Sequence, residues 1–364
     1  MRTSPYPIRT RFEPAIEHAS DPLATPLRAE IGDTRREEAG ALALKHEFAW
    51  SASRHANFRK CRRAHYYAYY LAWNGWQRSA PKERIAARTQ HKLTGMSQVA
   101  GSAIHRVLAQ YMAERPGYRM QEDEAVTRAS AELRHAFKDS RDGLGARNPS
   151  KHAYLAEHFY ADDRVATREA TAEYGARFIE RIRNCFANFY AMPSLALVRE
   201  AEPEALIFVE DPSPRGGFDN FEYKGTKVFA SPDLVLRDAE GVARIYDWKT
   251  GSPSDADEFQ LLTYAIQARE QWGLAPEAVR AFDVYLDRAE VHEWEVSESR
   301  LAATEATIDT SIEAMRVLHF EADTAMGDAE NFPRVPADAP EARLCSYCRF
   351  RRICGREEQG SEGS

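Results

Sequence analysis

The feature that most constrains the fold is the stretch of residues 227–251. Two apolar runs rich in β-branched residues, 227–236 and 242–248, flank the turn-forming segment 237–241. Such runs on either side of a short turn predict two strands of an antiparallel hairpin.

Acidic side chains lie on both predicted strands. Asp233 follows Pro232, and Asp247 stands two residues before Lys249. Side chains alternate along a strand, so Asp247 and Lys249 face one side and Trp248 faces the other. Two carboxylates brought together by a hairpin favour a hard divalent cation, Mg²⁺ or Mn²⁺. The alternative is that both are charges at strand ends facing solvent.

Together, Pro232-Asp233 and Asp247-Trp248-Lys249 resemble the signature of the PD-(D/E)XK nucleases. The order of predicted elements is similar to the αβββαβ core of that α/β (α+β) fold. These elements are a helix at 97–113, a strand at 205–210, the hairpin, a helix at 255–272, strands at 279–287 and 290–296, and a helix at 297–326.

Two further patterns resemble the RecB-like branch. Gly101 and His105 match its first helix, in which the histidine is a metal ligand, and Gln260 and Tyr264 match its Gln-Xaa-Xaa-Xaa-Tyr element. Taken alone, a histidine beside an apolar stripe, as His105 is, is more often a core residue than a ligand, and Gln260 and Tyr264 are equally a solvated helix surface.

Five cysteines, an odd number, argue against a disulfide framework. Cys345, Cys348 and Cys354 are clustered as in a soft-metal or cluster site, which leaves Cys61 and Cys185 as candidates for a fourth ligand. Cys185 falls on the apolar face of a predicted helix, whereas Cys61 lies on the inward side of a helix predicted to run on from Ser51.

The arrangement of one early and three late cysteines resembles the iron–sulfur staple of AddB-type and CRISPR-associated RecB-like nucleases. This resemblance implies a [4Fe-4S] cluster held by Cys61, Cys345, Cys348 and Cys354, with zinc as the alternative. The sequence departs from that family at Arg62, where proline usually follows the first cysteine.

The formal net charge of −7 gives no global attraction to nucleic acid, but basic residues are concentrated around Cys61 and around Cys348. The alternative is that they are solvated helix faces. Tyrosines at 66, 67, 69 and 70 are candidates for base stacking, although the helical period requires at least two of them in the core. The predicted DNA-binding residues are Arg59, Arg62, Arg63, Arg349, Arg351 and Arg352.

The predicted organisation has six parts. These are a flexible arm at 1–46, N-terminal helices of the nuclease domain at 47–113, an inserted helical subdomain at 114–196, a nuclease core at 197–330, a cysteine cluster at 331–356 and a disordered tail at 357–364. No apolar run approaches a membrane span and no secretory segment is evident, so we expect a cytoplasmic protein without a membrane partner.

The resemblance implies a metal-dependent deoxyribonuclease, an exonuclease rather than an endonuclease, acting on single strands or ends in recombination, repair or defence. In this interpretation His105, Asp233, Asp247 and the Trp248 carbonyl bind the metal ion, and Lys249 orients or deprotonates water.

Gln260 and Tyr264 would then position the strand, and Glu202 is a weaker candidate for a second metal. A helicase or a defence-system protein is a candidate partner. The alternatives are a non-catalytic DNA-binding or scaffold subunit and a zinc-stabilised hydrolase acting on another substrate.

Overall fold

The structure, a computed structural model, describes residues 46–211, 219–318 and 329–356. The predicted arm (apart from His46), the predicted tail, most of the loop before residue 219 and the end of the last predicted helix lie outside these ranges.

Eleven α-helices lie within the described ranges: α1 Ala52–Lys60, α2 Arg62–Tyr66, α3 Lys82–His91, α4 Met96–Ala113, α5 Glu122–Arg141, α6 Leu144–Arg147, α7 Ala156–Phe159, α8 Arg168–Ala191, α9 Ala196–Glu200, α10 Asp255–Trp272 and α11 Glu298–Arg316. The strands of the same ranges are β1 Ala49–Trp50, β2 Leu93–Thr94, β3 Tyr154–Leu155, β4 Leu206–Val209, β5 Asn220–Tyr223, β6 Thr226–Phe229, β7 Leu234–Arg237, β8 Ala243–Lys249, β9 Val279–Tyr285 and β10 Glu290–Trp294.

A five-stranded mixed sheet of order β10-β9-β8-β7-β4 forms the centre of the fold. The β7–β8 pair is the predicted hairpin, with Leu234 opposite Tyr246. After α10 the chain returns in β9, which pairs in parallel with β8. The order of α4, three strands, α10 and β9 agrees with the predicted core.

Alternation along the strands gives this sheet two apolar faces. Ala243 and Ile245 of β8 pack into a core with α10, α11 and the aromatic residues after Cys61. Tyr246 and Trp248 pack on the opposite side against α4, α5 and α8. The predicted separation of Trp248 from Asp247 and Lys249 is therefore confirmed.

The predicted single strand at 227–236 is wrong. Its first part is β6, which pairs with β5 and β1 in a separate small sheet, and its last part is β7. The chain changes sheets over residues 230–233, where Pro232 has no N–H to donate to a ladder. The hairpin partner β5 was not predicted.

Two predicted helices also differ from the structure. The helix expected through Cys61 is interrupted there, because Cys61 adopts an extended backbone between α1 and α2. A π-helix, Tyr67–Leu71, then continues α2. The helix predicted at 297–326 ends at Arg316, and residues 319–328 lie outside the described chain. No helix of the described residues is long and apolar enough to cross a bilayer.

Candidate active site

Three carboxylates lie side by side where neighbouring strands end. Glu210 follows β4, Asp233 precedes β7, and Asp247 is near the end of β8. The N–H of Glu210 donates to the carbonyl of Asp233 at 3.1 Å, so these two residues extend the β4–β7 ladder by one step. Asp233 and Asp247 are both buried. The sheet topology thus produces an acidic row from segments far apart in sequence.

Helix α4 adds an imidazole to this row. His105 Nδ1 lies 2.8 Å from Oδ1 of Asp233, whose other carboxylate oxygen accepts the Trp248 N–H at 2.6 Å. His105, Glu210 and Asp233 offer one ligand atom each within 4.8 Å of one another. One nitrogen and carboxylate oxygens suit Mn²⁺ or Mg²⁺, so these residues fit a divalent ion.

The predicted trio of His105, Asp233 and Asp247 is not the group that the structure brings closest. Oδ2 of Asp247 lies 2.5 Å from Nζ of Lys249, which holds this carboxylate towards α10. Asp247 nevertheless lines the same polar cavity, of about 410 Å³, as His105, Glu210 and Asp233. Trp248 lines it too, and metal binding by its carbonyl stays a prediction.

Glu210 is a site residue that sequence reasoning missed. Glu202 was predicted as an extra carboxylate, but it is exposed near Arg119, eight residues before Glu210, which lines the cavity. The available signal was that Glu210 ends a strand predicted to neighbour the hairpin. The sheet order determines which strand lies next to β7, and this order cannot be read from the sequence.

Burial and mutual repulsion disfavour negative charge in the acidic row. Burial, followed by the charge of Asp233, raises the pKa of both Glu210 and Asp247 to about 7. Burial lowers the pKa of His105, but Asp233 more than offsets that effect and the pKa rises to about 9. Positive charge, from a proton or a metal ion, therefore stabilises this cavity.

Lys249 has several oxygen partners. Its ammonium is 2.9 Å from Gln260 Oε1, and the Gln260 amide donates to the Tyr264 hydroxyl at 2.6 Å. Burial lowers the pKa of Lys249, but Asp247 and neighbouring acids outweigh this and raise it. The neighbouring acids thus favour the protonated form of Lys249, and its part in orienting or deprotonating water stays a prediction.

The predicted cluster cysteines share a second cavity of about 380 Å³, lined by Cys61, Cys345, Cys348 and Cys354. The backbone N–H of Phe350 donates to Cys348 Sγ at 3.4 Å. By contrast, Cys185 is fully buried in the core beside α4 and α5.

Among the described residues, His105, Glu210 and Asp233 form the one group of three or more potential ligands within 4.8 Å. The four thiols line one cavity, and the choice between a cluster and a single zinc ion stays a prediction.

The predicted DNA-binding arginines make different contacts. Arg59, Arg62 and Arg352 are exposed, whereas Arg63, Arg349 and Arg351 are half-buried. Arg351 stacks over Tyr160. Three of the others donate to carbonyl groups: Arg63 to Phe332 at 2.7 Å, Arg349 to His91 at 3.0 Å and Arg352 to Phe159 at 3.2 Å. They hold the C-terminal segment against the helices, and their contact with DNA stays a prediction.

A family model for the PD-(D/E)XK nuclease superfamily matches residues 49–355, which is most of the chain. The chain therefore belongs to the PD-(D/E)XK nuclease superfamily. Membership of this superfamily indicates nuclease activity on DNA with a divalent metal ion. None of the curated proteins matches the sequence.

Proposed function

We propose that this protein is a Mg²⁺- or Mn²⁺-dependent deoxyribonuclease of the RecB-like branch. The observation that carries the proposal is the convergence of His105, Glu210 and Asp233 within 4.8 Å, beside the Asp247–Lys249 pair. A site that combines acids, an imidazole and an ammonium suits a phosphodiester, whose negative charge must be neutralised before a nucleophile can approach.

The side chains have distinct tasks in this mechanism. A divalent cation held by His105, Glu210, Asp233 and Asp247 would neutralise the phosphate and make a water molecule more acidic. The Lys249 ammonium stabilises the charge that grows on the phosphoryl oxygens. Gln260 fixes that ammonium, and the buried Tyr264 fixes Gln260 in turn.

A cleft beside the catalytic cavity supports a polynucleotide substrate. This cavity of about 670 Å³ also contains Glu210, Gln260 and Tyr264. The Arg54 guanidinium there lies 4.7 Å from the ring centre of Tyr69 and 5.4 Å from that of Phe229.

Cations and aromatic rings in one groove suit the phosphates and bases of a single strand. Lys227 and Arg88 add positive charge to this cleft, Glu47 and Asp219 add negative charge, and Trp76 is 42% exposed at its margin. The buried Tyr66, Tyr67 and Tyr70 belong to the core, in agreement with the prediction that at least two of the four tyrosines lie there. Tyr69 lines the cleft.

The cysteine cavity supports the finer assignment to AddB-type or CRISPR-associated relatives. In this proposal Cys61, Cys345, Cys348 and Cys354 hold a [4Fe-4S] cluster that ties α1 and α2 to the last described segment. Exonuclease action on single strands or ends, a role in recombination, repair or defence, and a helicase or defence-system partner belong to the same proposal. The intact Asp233, Asp247 and Lys249 disfavour a purely scaffolding subunit.

End-labelled single- and double-stranded DNA incubated with Mg²⁺ or Mn²⁺ tests this function. We expect metal-dependent degradation, faster on the single strand, that chelation stops. Asp247→Ala should abolish cleavage and retain DNA binding, and Glu202→Gln, an exposed acid outside the cavity, should cleave normally. Undiminished cleavage by Asp247→Ala, or metal-independent cleavage by the unmodified chain, would contradict the proposal.

A further inference from the structure

Two carboxylates that nothing so far assigns lie close to the Lys249 ammonium. Its Nζ lies 3.5 Å from Oδ1 of Asp257 in α10 and 3.6 Å from Oδ1 of Asp283 in β9. The Lys249 side chain is only 16% exposed, so these acids act on it through little water. Asp283 is opposite Asp247 in the β8–β9 register, and both therefore project from the same face of the sheet.

Each of these carboxylates is fixed through its second oxygen by neutral donors. The Trp294 indole N–H donates to Oδ2 of Asp283 at 2.6 Å. The Tyr285 hydroxyl donates to Oδ2 of Asp257 at 2.9 Å, and the Ser254 N–H donates to the same atom at 2.8 Å. These contacts leave Oδ1 of both acids directed at the ammonium.

Asp283 is arranged at a cost to stability. It is fully buried, and its Oδ1 makes no hydrogen bond within the described chain. A buried carboxylate oxygen without a hydrogen bond is unfavourable, and its compensation here is the Lys249 charge. An apolar residue would suit the core better, so the arrangement indicates a role in placing that charge.

Resting on the function proposed above, we propose that Asp257 and Asp283 are positioning residues that keep the Lys249 ammonium directed into the catalytic cavity. If Asp247 were the only acidic partner of Lys249, the ammonium would move with the Asp247 carboxylate whenever that carboxylate rotated to bind a metal ion. The two additional acids attract Nζ from α10 and β9 independently of Asp247. Lys249 therefore stays in place while Asp247 serves the reaction.

Steady-state kinetics of Asp283→Asn and Asp257→Asn test this inference. We expect kcat to fall about tenfold or more with KM within about twofold, since a displaced ammonium affects the reaction rather than substrate binding. Trp294→Phe should give a smaller decrease. The matched control is Asp238→Asn, a half-buried acid paired with Arg244 in the distant β7–β8 turn, which should keep full kcat.

A stability cycle between positions 249 and 283 provides a readout that does not need activity. Asp283→Asn should lower the melting temperature in the natural chain and lower it less, or raise it, in a Lys249→Met background. We expect a difference of about 2 °C or more between the two effects.

Equal effects of Asp283→Asn in both backgrounds, or unchanged kcat in both asparagine variants of a cleaving enzyme, would overturn the inference. A chain that cleaves no DNA, but in which the effect of Asp283→Asn on the melting temperature depends on Lys249, would overturn the proposed function. It would still support the proposed placement of Lys249.

Discussion

The Nδ1 atom of His105 and the Oδ1 atom of Asp233 lie 2.8 Å apart although 128 residues separate them in the chain. This contact joins α4, which packs on one face of the sheet, to the start of β7. Asp233 also accepts the N–H of Trp248 in β8, so one carboxylate connects three elements at the catalytic cavity. The acidic row is consequently a product of the tertiary fold rather than of any local motif.

Glu210→Gln should weaken divalent metal binding about tenfold or more, because it removes one charged ligand from the group with His105 and Asp233. The stabilisation by a saturating metal would then fall by about 1.4 kcal/mol for each tenfold loss of affinity. Thermal melting with increasing Mn²⁺ measures this effect. Glu202→Gln is the control, and an equal metal response in both variants would contradict the ligand role of Glu210.

The metal-free protein should lose stability as the pH rises from about 5 to about 9. The pKa values of Glu210 and Asp247, raised to about 7, exceed the value of about 4 in an unfolded chain. The folded state thus binds more protons between these values, and stability falls with rising pH there. The pKa of His105, raised to about 9, gives stability that is fully present below about pH 6.5 and is lost as the pH rises through 9.

Melting temperatures of chelator-treated protein across this range check the pH prediction. Because Glu210→Gln removes one of the raised carboxyl groups, its melting temperature should fall less than that of the natural chain between pH 5 and 7. A natural chain and a Glu210→Gln variant with parallel profiles would contradict the assigned proton uptake. Added Mn²⁺ should stabilise the natural chain more at pH 8 than at pH 6, because binding displaces these protons.

The sequence predicted those site residues whose placement follows from local rules. Alternation along β8 placed Asp247 and Lys249 on one face, and the short turn brought Asp233 near Asp247. Glu210 and Asp283 were not predicted as site residues, because their positions depend on which strands neighbour β7 and β8. The first follows from the β4–β7 pairing and the second from the parallel register of β8 and β9.

The break in the predicted strand at 227–236 has a similar origin. An apolar run of that length is compatible with one strand, and Pro232 was a local sign of interruption. That β6 leaves the central sheet depends on its pairing with β1 and β5, which lies beyond the range of any sequence window.

Cys348→Ser should yield protein with little bound iron, no brown colour and poor solubility, because the four-cysteine cavity loses a ligand. Iron content per chain and visible absorbance provide the measurement. Cys185→Ala is the control, since that thiol lies in the core outside the cavity and its loss should leave the colour intact. Equal iron in Cys348→Ser would contradict the ligand assignment, and colourless natural protein with one zinc ion would favour the zinc alternative.

Gly101→Ala should show that the close approach of α4 to the end of β8 matters for the site. A Cβ atom at position 101 would lie 3.0 Å from Oγ1 of Thr250, the residue after Lys249. We expect no gain in stability and a kcat reduced roughly three- to tenfold, because a small displacement of Thr250 shifts the Lys249 ammonium.

Gly175→Ala is the matched control within α8, where an added Cβ meets nothing within 4 Å. It should stabilise the protein by roughly 0.5–1 kcal/mol, the usual advantage of alanine over glycine in a helix. Thermal melting and kinetics of both variants test this prediction. The double variant Gly101→Ala/Thr250→Ala should show the gain in stability that Gly101→Ala alone does not. Equal stabilisation by both alanine substitutions with full activity would show that the contact with Thr250 is unimportant.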